Sequence, residues 1–261
     1  LLNHTSGLPE YTMLEQVQAL AHTLETQALS DDEILDLVLD APSDFKPGQG
    51  WRYSNTGYML LRMLIESITG KRFAEALQAL LLTPLELCQS HVVTEKKDPQ
   101  VTSGFSNKFG PDDQLIEINN RYDPNWVKTG LVASTVCDVT RFYSKLFQGA
   151  VLQPATLDDM IKSRYLATQG ATTHKPLHYG FGIDILCNTP GQKAFGHGGG
   201  GPGFTLGCKY LERDGQSITI AIFCNSNLDA PMFPLFDEIT ETLLTSNQRH
   251  SASFTNPSRS P

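Results

Sequence analysis

The sequence predicts an α+β fold in which helices come first and an antiparallel sheet comes late. Three observations carry that reading. Apolar residues recur at helical spacing through the first two-thirds of the chain, and short runs rich in β-branched and aromatic residues follow them. Asp214-Gly215 sits between the last two of those runs, where a tight hairpin is the simplest connection. Helices and strands segregated in this way argue against a parallel βαβ arrangement.

Ser30-Asp31-Asp32-Glu33 is a capping box ahead of Ile34, Leu35, Leu37 and Val38, an apolar face that stops at Pro42. After a Pro47-Gly48 turn and Trp51-Arg52-Tyr53-Ser54-Asn55, the segment 56–69 is apolar on most sides and ends at Gly70, which suits a buried helix with a glycine C-cap. Residues 73–82 read as a helix closed by Pro84. Residues 136–148 read as another, with Ser134 or Thr135 as its cap and Gly149 behind it. Strands are expected at 181–187, 204–211 and 218–224, and a closing helix at 233–244. The resulting division is a mainly helical region, 1–178, a strand-and-helix region, 179–246, and a tail, 247–261, whose Ser, Asn and Pro content points to disorder.

With 261 residues, 40% hydrophobic and 18% charged, the chain can bury a core of ordinary size. A formal net charge of -8 and the lack of any Lys/Arg run leave nothing to track nucleic acid or an anionic membrane surface. No apolar stretch is long enough to span a bilayer. Cys88, Cys137, Cys187, Cys208 and Cys224 stand singly, without C-x-x-C or a disulfide pattern, and read as small core residues; no metal or cofactor is expected. Asn3-His4-Thr5 fits a glycosylation acceptor without fixing a compartment, and the oligomeric state has no signature.

Gly196-His197-Gly198-Gly199-Gly200-Gly201-Pro202-Gly203 is the most unusual segment. It matches G-x-G-x-x-G, but a dinucleotide loop must open a helix and strand-like sequence follows here. It also matches the H-G-G-G loop of lipases, which requires a G-x-S-x-G elbow that this chain lacks. Two readings remain: a flexible glycine turn, or a strand edge whose missing side chains let a substrate backbone approach, with His197 facing the site. Tyr53-Ser54-Asn55 alone reads as a core tyrosine followed by a helix N-cap, Asn55.

Read together, these segments resemble one family in order. Leu1-Leu2-Asn3-His4-Thr5-Ser6-Gly7-Leu8-Pro9 looks like the phrase that follows the nucleophile region of serine β-lactamase-like proteins, the class C β-lactamase, D,D-peptidase and family VIII esterase type. Phe45-Lys46-Pro47-Gly48 with Tyr53-Ser54-Asn55-Thr56-Gly57-Tyr58 is similar to their Y-x-N motif. Gly130-Leu131-Val132-Ala133-Ser134-Thr135, with Asp138, Arg141 and Phe142, and then Tyr179-Gly180-Phe181-Gly182, resemble family structural phrases. His197-Gly198-Gly199 occupies the place of the third motif, K-T-G or H-x-G.

The resemblance implies an S-x-x-K motif at the start of a helix upstream of Leu1, so the nucleophile is expected outside this chain and the chain is expected to be a fragment. One S-x-x-K does occur, Ser43-Asp44-Phe45-Lys46, but it runs into Pro47, which disfavours the helix that would align Ser43 with Lys46. By resemblance, Tyr53 is the phenol that shuttles the proton and His197 supplies hydrogen bonding or positive charge beside it. Asn55 and Gly199 bind substrate, and the Gly200 N–H completes an oxyanion hole. Histidine in place of an always-charged lysine weakens carboxylate recognition, which favours an ester, amide or peptide-like small-molecule substrate over a dedicated β-lactam. A nucleophile-less binding module is the alternative, and a chain unstable without its missing strands is a third.

Overall fold

Side-chain caps at Ser30, Ser54 and Thr135 set where three of the helices begin in the computed structural model. It describes residues 1–21, 27–119, 121–162, 165–167, 177–189, 191–227, 234–236, 238, 239 and 242. Residues 1–228 form one compact unit and 229–261 a second. A 3-10 turn (Tyr11–Met13) leads into α1 (Glu15–Ala21). At the head of α2 (Asp31–Asp40) the Ser30 hydroxyl accepts from the Glu33 N–H at 3.2 Å while Glu33 accepts from the Ser30 N–H at 2.7 Å. α3 (Asn55–Thr69) starts from Ser54, whose hydroxyl accepts from the Gly57 N–H, and ends at Gly70 with φ of 63°. Ser54, rather than Asn55, is therefore the cap. α4 (Phe73–Leu77) continues as a wider π-helical turn (Gln78–Leu82), which together fill the expected 73–82. Thr135 caps α5 (Val136–Phe147), and α6 (Pro154–Ile161), absent from the sequence reading, opens with a proline at its first turn.

The strands are β1 (His91–Val93), β2 (Phe105–Ser106), β3 (Ile116–Glu117), β4 (Leu131–Ala133), β5 (Tyr165–Ala167), β6 (Leu177–Tyr179), β7 (Asp184–Thr189), β8 (Gln192–Gly201), β9 (Phe204–Arg213) and β10 (Gln216–Cys224). Six of them make one antiparallel sheet in the order β10-β9-β8-β7-β6-β5, while β1 pairs with β4 and β2 with β3. The glycine-rich segment is thus the second half of a ten-residue strand and no flexible turn. β7 begins later than expected because Gly180-Phe181-Gly182 turns the chain, with Gly182 at φ of 70°. Asp214 and Gly215, at φ of 51° and 76°, close the β9–β10 hairpin as anticipated.

Two apolar clusters sit where the site needs support. Tyr11, Val17, Ile34, Val38, Met59 and Trp126 pack the helices together. Ile183, Ile185 and Phe195 pack the sheet onto α5 and α6, with Phe147 stacked on Tyr210 at 4.0 Å. The cysteines depart in part from expectation: Cys208 is buried and Cys224 half-buried, but Cys88, in the turn before β1, and Cys137, in the first turn of α5, are exposed. The described residues from 234 to 242 are helical, within the predicted 233–244. The tail 247–261 lies outside the described residues.

Glycines in β8 answer two different demands. A Cβ on Gly196 would stand 2.1 Å from the Cys208 carbonyl oxygen of β9, whereas nothing lies within 4 Å of one on Gly200 or Gly201. Gly196→Ala is expected to destabilise the protein by about 3 kcal/mol through overpacking against backbone. Gly200→Ala should change stability by no more than about 0.5 kcal/mol. Urea denaturation of both variants checks the contrast.

Candidate active site

A chain of hydrogen bonds joins segments far apart in sequence. His4 is buried at 1% exposure and held at φ of 59°, in the left-handed region. Its Nδ1 accepts from the Ser54 N–H at 3.0 Å, so in the neutral ring the proton sits on Nε2, 3.2 Å from the Tyr179 hydroxyl. Tyr179, buried on β6, stands 3.0 Å from His197 Nε2. His197 Nδ1 lies 2.6 Å from the Gly198 carbonyl, which can only accept, so Nδ1 carries a proton and the neutral ring takes the Tyr179 proton at Nε2. Burial, and after it the nearby His197, lowers the His4 pKa to about 4. Burial likewise pushes the Tyr179 phenol far above its ordinary value.

Tyr53 and Asn55 lie at the other wall, where the loop enters α3. The Tyr53 ring stacks at 4.2 Å on His4 and 6.3 Å from His197, and the residue is 43% exposed. Its hydroxyl has no hydrogen-bond partner among the described residues. Burial of the ring, then Glu10 and Asp184, raise its pKa, so the phenol is protonated at neutral pH. Asn55 donates its backbone N–H to Glu10 Oε2 and its side-chain Nδ2 to Glu10 Oε1, the latter at 3.0 Å. A carboxylate cannot donate, so the Asn55 Oδ1 is the face left for a ligand. Glu10, buried at 7%, also accepts from Thr12.

The third wall is the edge of β8. This strand pairs with β7 only as far as Gly196, opposite Asp184, but with β9 as far as Gly201. From His197 onward one edge is therefore unpaired among the described residues. Gly201 and Phe204 flank the two-residue turn Pro202-Gly203 and form a hydrogen-bonded pair; alternation along the ladder then points the N–H groups of Gly198 and Gly200 into the free edge. Burial raises the pKa of Asp184, at the end of the β7 pairing, and the neighbouring His197 partly offsets it.

Tyr53 and His197 thus share one site, but no hydrogen bond links them, since both ring nitrogens of His197 are engaged by Tyr179 and Gly198. Asn55 is tied back to Glu10, and Gly199 and Gly200 lie along the open edge. Ser43 and Lys46 are exposed in a non-helical bend, with Asp44 in an ion pair to Arg52, so this S-x-x-K forms no nucleophile pair. Sequence reasoning assigned no role to His4, Glu10 or Tyr179, although His4 and Tyr179 stood inside the family phrases. Between pH 6.5 and 4 the unfolded chain takes up a proton at His4 that the folded chain refuses, so stability should fall by about 3 kcal/mol across that window. His4→Asn, which tolerates positive φ, should flatten that part of the dependence of melting temperature on pH.

The family model described as Beta-lactamase matches residues 1–243. Penicillin-binding protein 4* of Bacillus subtilis (strain 168) is 28% identical over 226 residues, covering 81% of this chain and 48% of that protein. The D-stereospecific amidohydrolase from Streptomyces sp. superposes with a TM-score of 0.73 at 26% identity, over 87% of this chain and 66% of that one. The D-amino acid amidase from Ochrobactrum anthropi SV3, solved with L-phenylalanine amide, gives 0.70 at 25% identity, over 86% and 63%. The chain spans about half the length of the curated relative and about two-thirds of the solved ones. With the Y-x-N loop, the glycine strand and an α+β fold in that order beneath a match to residues 1–243, this chain belongs to the Beta-lactamase family.

Proposed function

We propose that this chain carries all but the nucleophile of a serine hydrolase that works through an acyl-enzyme on a small ester, amide or peptide substrate. The observation that carries the reading is the open edge of β8, with its Gly200 N–H, beside a half-exposed Tyr53 whose hydroxyl is unpartnered. The attacking serine and its lysine come from outside these residues, because the single S-x-x-K of the chain lies in an exposed bend. The serine oxygen attacks the substrate carbonyl, and its proton passes through the lysine and Tyr53 to the leaving group. The oxyanion is held by the Gly200 N–H and the serine's own N–H, as the carbonyl carbon's bond to the leaving nitrogen or oxygen breaks. Water then attacks the acyl-serine with the proton flow reversed.

Tyr53 suits the donor half of that cycle, since its raised pKa keeps the proton on oxygen. Accepting a proton requires a cation close by, which the lysine supplies. Asn55 Oδ1 accepts from the substrate amide or that lysine, and Gly199 contacts the substrate backbone. His197, its ring centroid 6.3 Å from that of Tyr53 across the site, holds the head of the glycine strand in register and presents an imidazole where a lysine's permanent charge would attract a carboxylate. Amides and esters of amino acids fit such a site, in keeping with the D-stereospecific amidohydrolase and D-amino acid amidase among its relatives.

The full-length protein is expected to react with a fluorophosphonate probe, and Tyr53→Phe to lower kcat by about 100-fold or more, with a smaller loss in His197→Ala. Ser43→Ala should be silent, and residues 1–261 alone should hydrolyse nothing. Turnover unchanged in Tyr53→Phe would remove the phenol from the mechanism. Ligand binding by the full-length protein without any covalent adduct would favour the second reading, a binding module that has lost its nucleophile.

A further inference from the structure

The open edge of β8 leads into a cavity. Gly199–Gly201 form part of its lining, and Ile118, Tyr122, Val127, Leu131, Phe204 and Leu206 contribute most of the apolar surface around a volume of about 260 Å³. At roughly 30 Å³ per water, that space exceeds what one or two ordered waters occupy and suits a single large side chain. Glu95, Lys96 and Asp98 supply the charged part of the lining, where acids outnumber the base.

Strand geometry connects cavity and edge. Directly opposed residues in a sheet share a face, and Gly199 opposes Leu206. A Cβ built on Gly199 points at the Leu206 side chain, 3.0 Å away, so the face on which Gly199 lacks a side chain is the face of the cavity. A substrate backbone paired to the free edge through Gly198 and Gly200 would put the residue opposite Gly199 on that same face. Gly200 and Gly201 leave open space around their missing side chains, so nothing of the chain itself blocks the approach.

We infer that this cavity is the specificity pocket of the enzyme and that it takes a large, uncharged apolar side chain, aromatic or branched, from the substrate residue paired opposite Gly199. The inference rests on the proposed hydrolase site for its catalytic consequence and on the cavity for its ligand. An apolar side chain leaves water for the Ile118–Phe204 wall, whereas a carboxylate would be desolvated against that wall with Lys96 as the one cationic group of the lining and Glu95 and Asp98 opposing it.

Two measurements on the full-length protein test it. Across D-amino-acid amides of Ala, Leu, Phe, Lys and Glu, kcat/KM for Phe and Leu should exceed that for Ala by about 10- to 100-fold, with Glu lowest. Dissociation constants of the N-acetyl amides of Ala and Phe, read by calorimetry, should show the same order without any turnover. Leu206 is 36% exposed, so Leu206→Glu should fold normally and lower the Phe-to-Ala ratio of kcat/KM at least about tenfold. Turnover with no dependence on the side chain, or a preference untouched by Leu206→Glu, overturns the pocket and leaves the hydrolase standing. A binding preference for Phe that Leu206→Glu abolishes, in a protein that turns over none of the amides, supports the pocket and counts against the hydrolase.

Discussion

The Tyr179 hydroxyl accepts from His4 Nε2 and hydrogen-bonds to His197 Nε2, and the site hangs on that pair of hydrogen bonds. They tie the N-terminal loop, the entrance to α3 through Ser54, and the glycine strand to one buried oxygen. A polar group buried without a partner is destabilising by about 1–3 kcal/mol, so breaking the bond to His4 would leave its buried Nε2–H unpaired. Ser54 fixes the near end, since a backbone N–H can only donate and so leaves the proton of the neutral His4 ring on Nε2, and the Gly198 carbonyl, which can only accept, places a proton on His197 Nδ1 at the far end. Burial keeps His4 neutral, which is what the direction of the chain requires.

With His197 anchored from behind, the strand it opens can be stripped of side chains. Sequence repetition disguises a division of labour among its glycines. Gly196 is required by the sheet, where β9 backbone fills the place of a Cβ, and Gly203 by the turn, at φ of 79°. Gly200 and Gly201 meet no such constraint from the fold, which leaves access as the physical reason for their missing side chains. The pairing of β8 with β7 stops at Asp184, so the unpaired edge begins at the residue Tyr179 holds.

Much of the architecture was legible because its signals are local. The Ser30 capping box, the Gly70 terminus and the Asp214-Gly215 hairpin each depend on a few neighbouring residues, and each is present. The π-helical turn after Leu77 was not legible, since helical periodicity cannot distinguish a widened turn from an α-helix over five residues. The small strands β1 to β4 are two or three residues long and exist through pairing between residues 10 to 42 positions apart, beyond the reach of any periodicity. At the site, Tyr53, Asn55 and the glycine strand stood out by motif. His4 and Glu10 did not, because a buried acid or imidazole is recognisable only by the donors that surround it, and those come from distant segments or from backbone. Asn55 illustrates the limit: its type suited a cap, yet Ser54 one residue earlier took that task and freed the amide for Glu10.

The polar groups around Tyr53 form a set whose charge is one-sided. Glu10 and Asp184 both act to keep the phenol protonated, Asn55 turns an oxygen outward, and the phenol oxygen is itself unpartnered among the described residues. The β8 edge presents backbone N–H donors, while the α3 side presents the Asn55 oxygen and the Tyr53 hydroxyl. Under the proposed mechanism an ammonium group seated among those acceptors would satisfy Asn55 Oδ1 and the Tyr53 oxygen together, and would counter the field that holds the phenol's proton. The same lysine that activates a serine would thereby convert Tyr53 from a fixed acid into a group able to give and regain a proton. Under that mechanism the α3 wall and the β8 edge would be complementary halves, joined by the cation on which the chemistry of Tyr53 would depend.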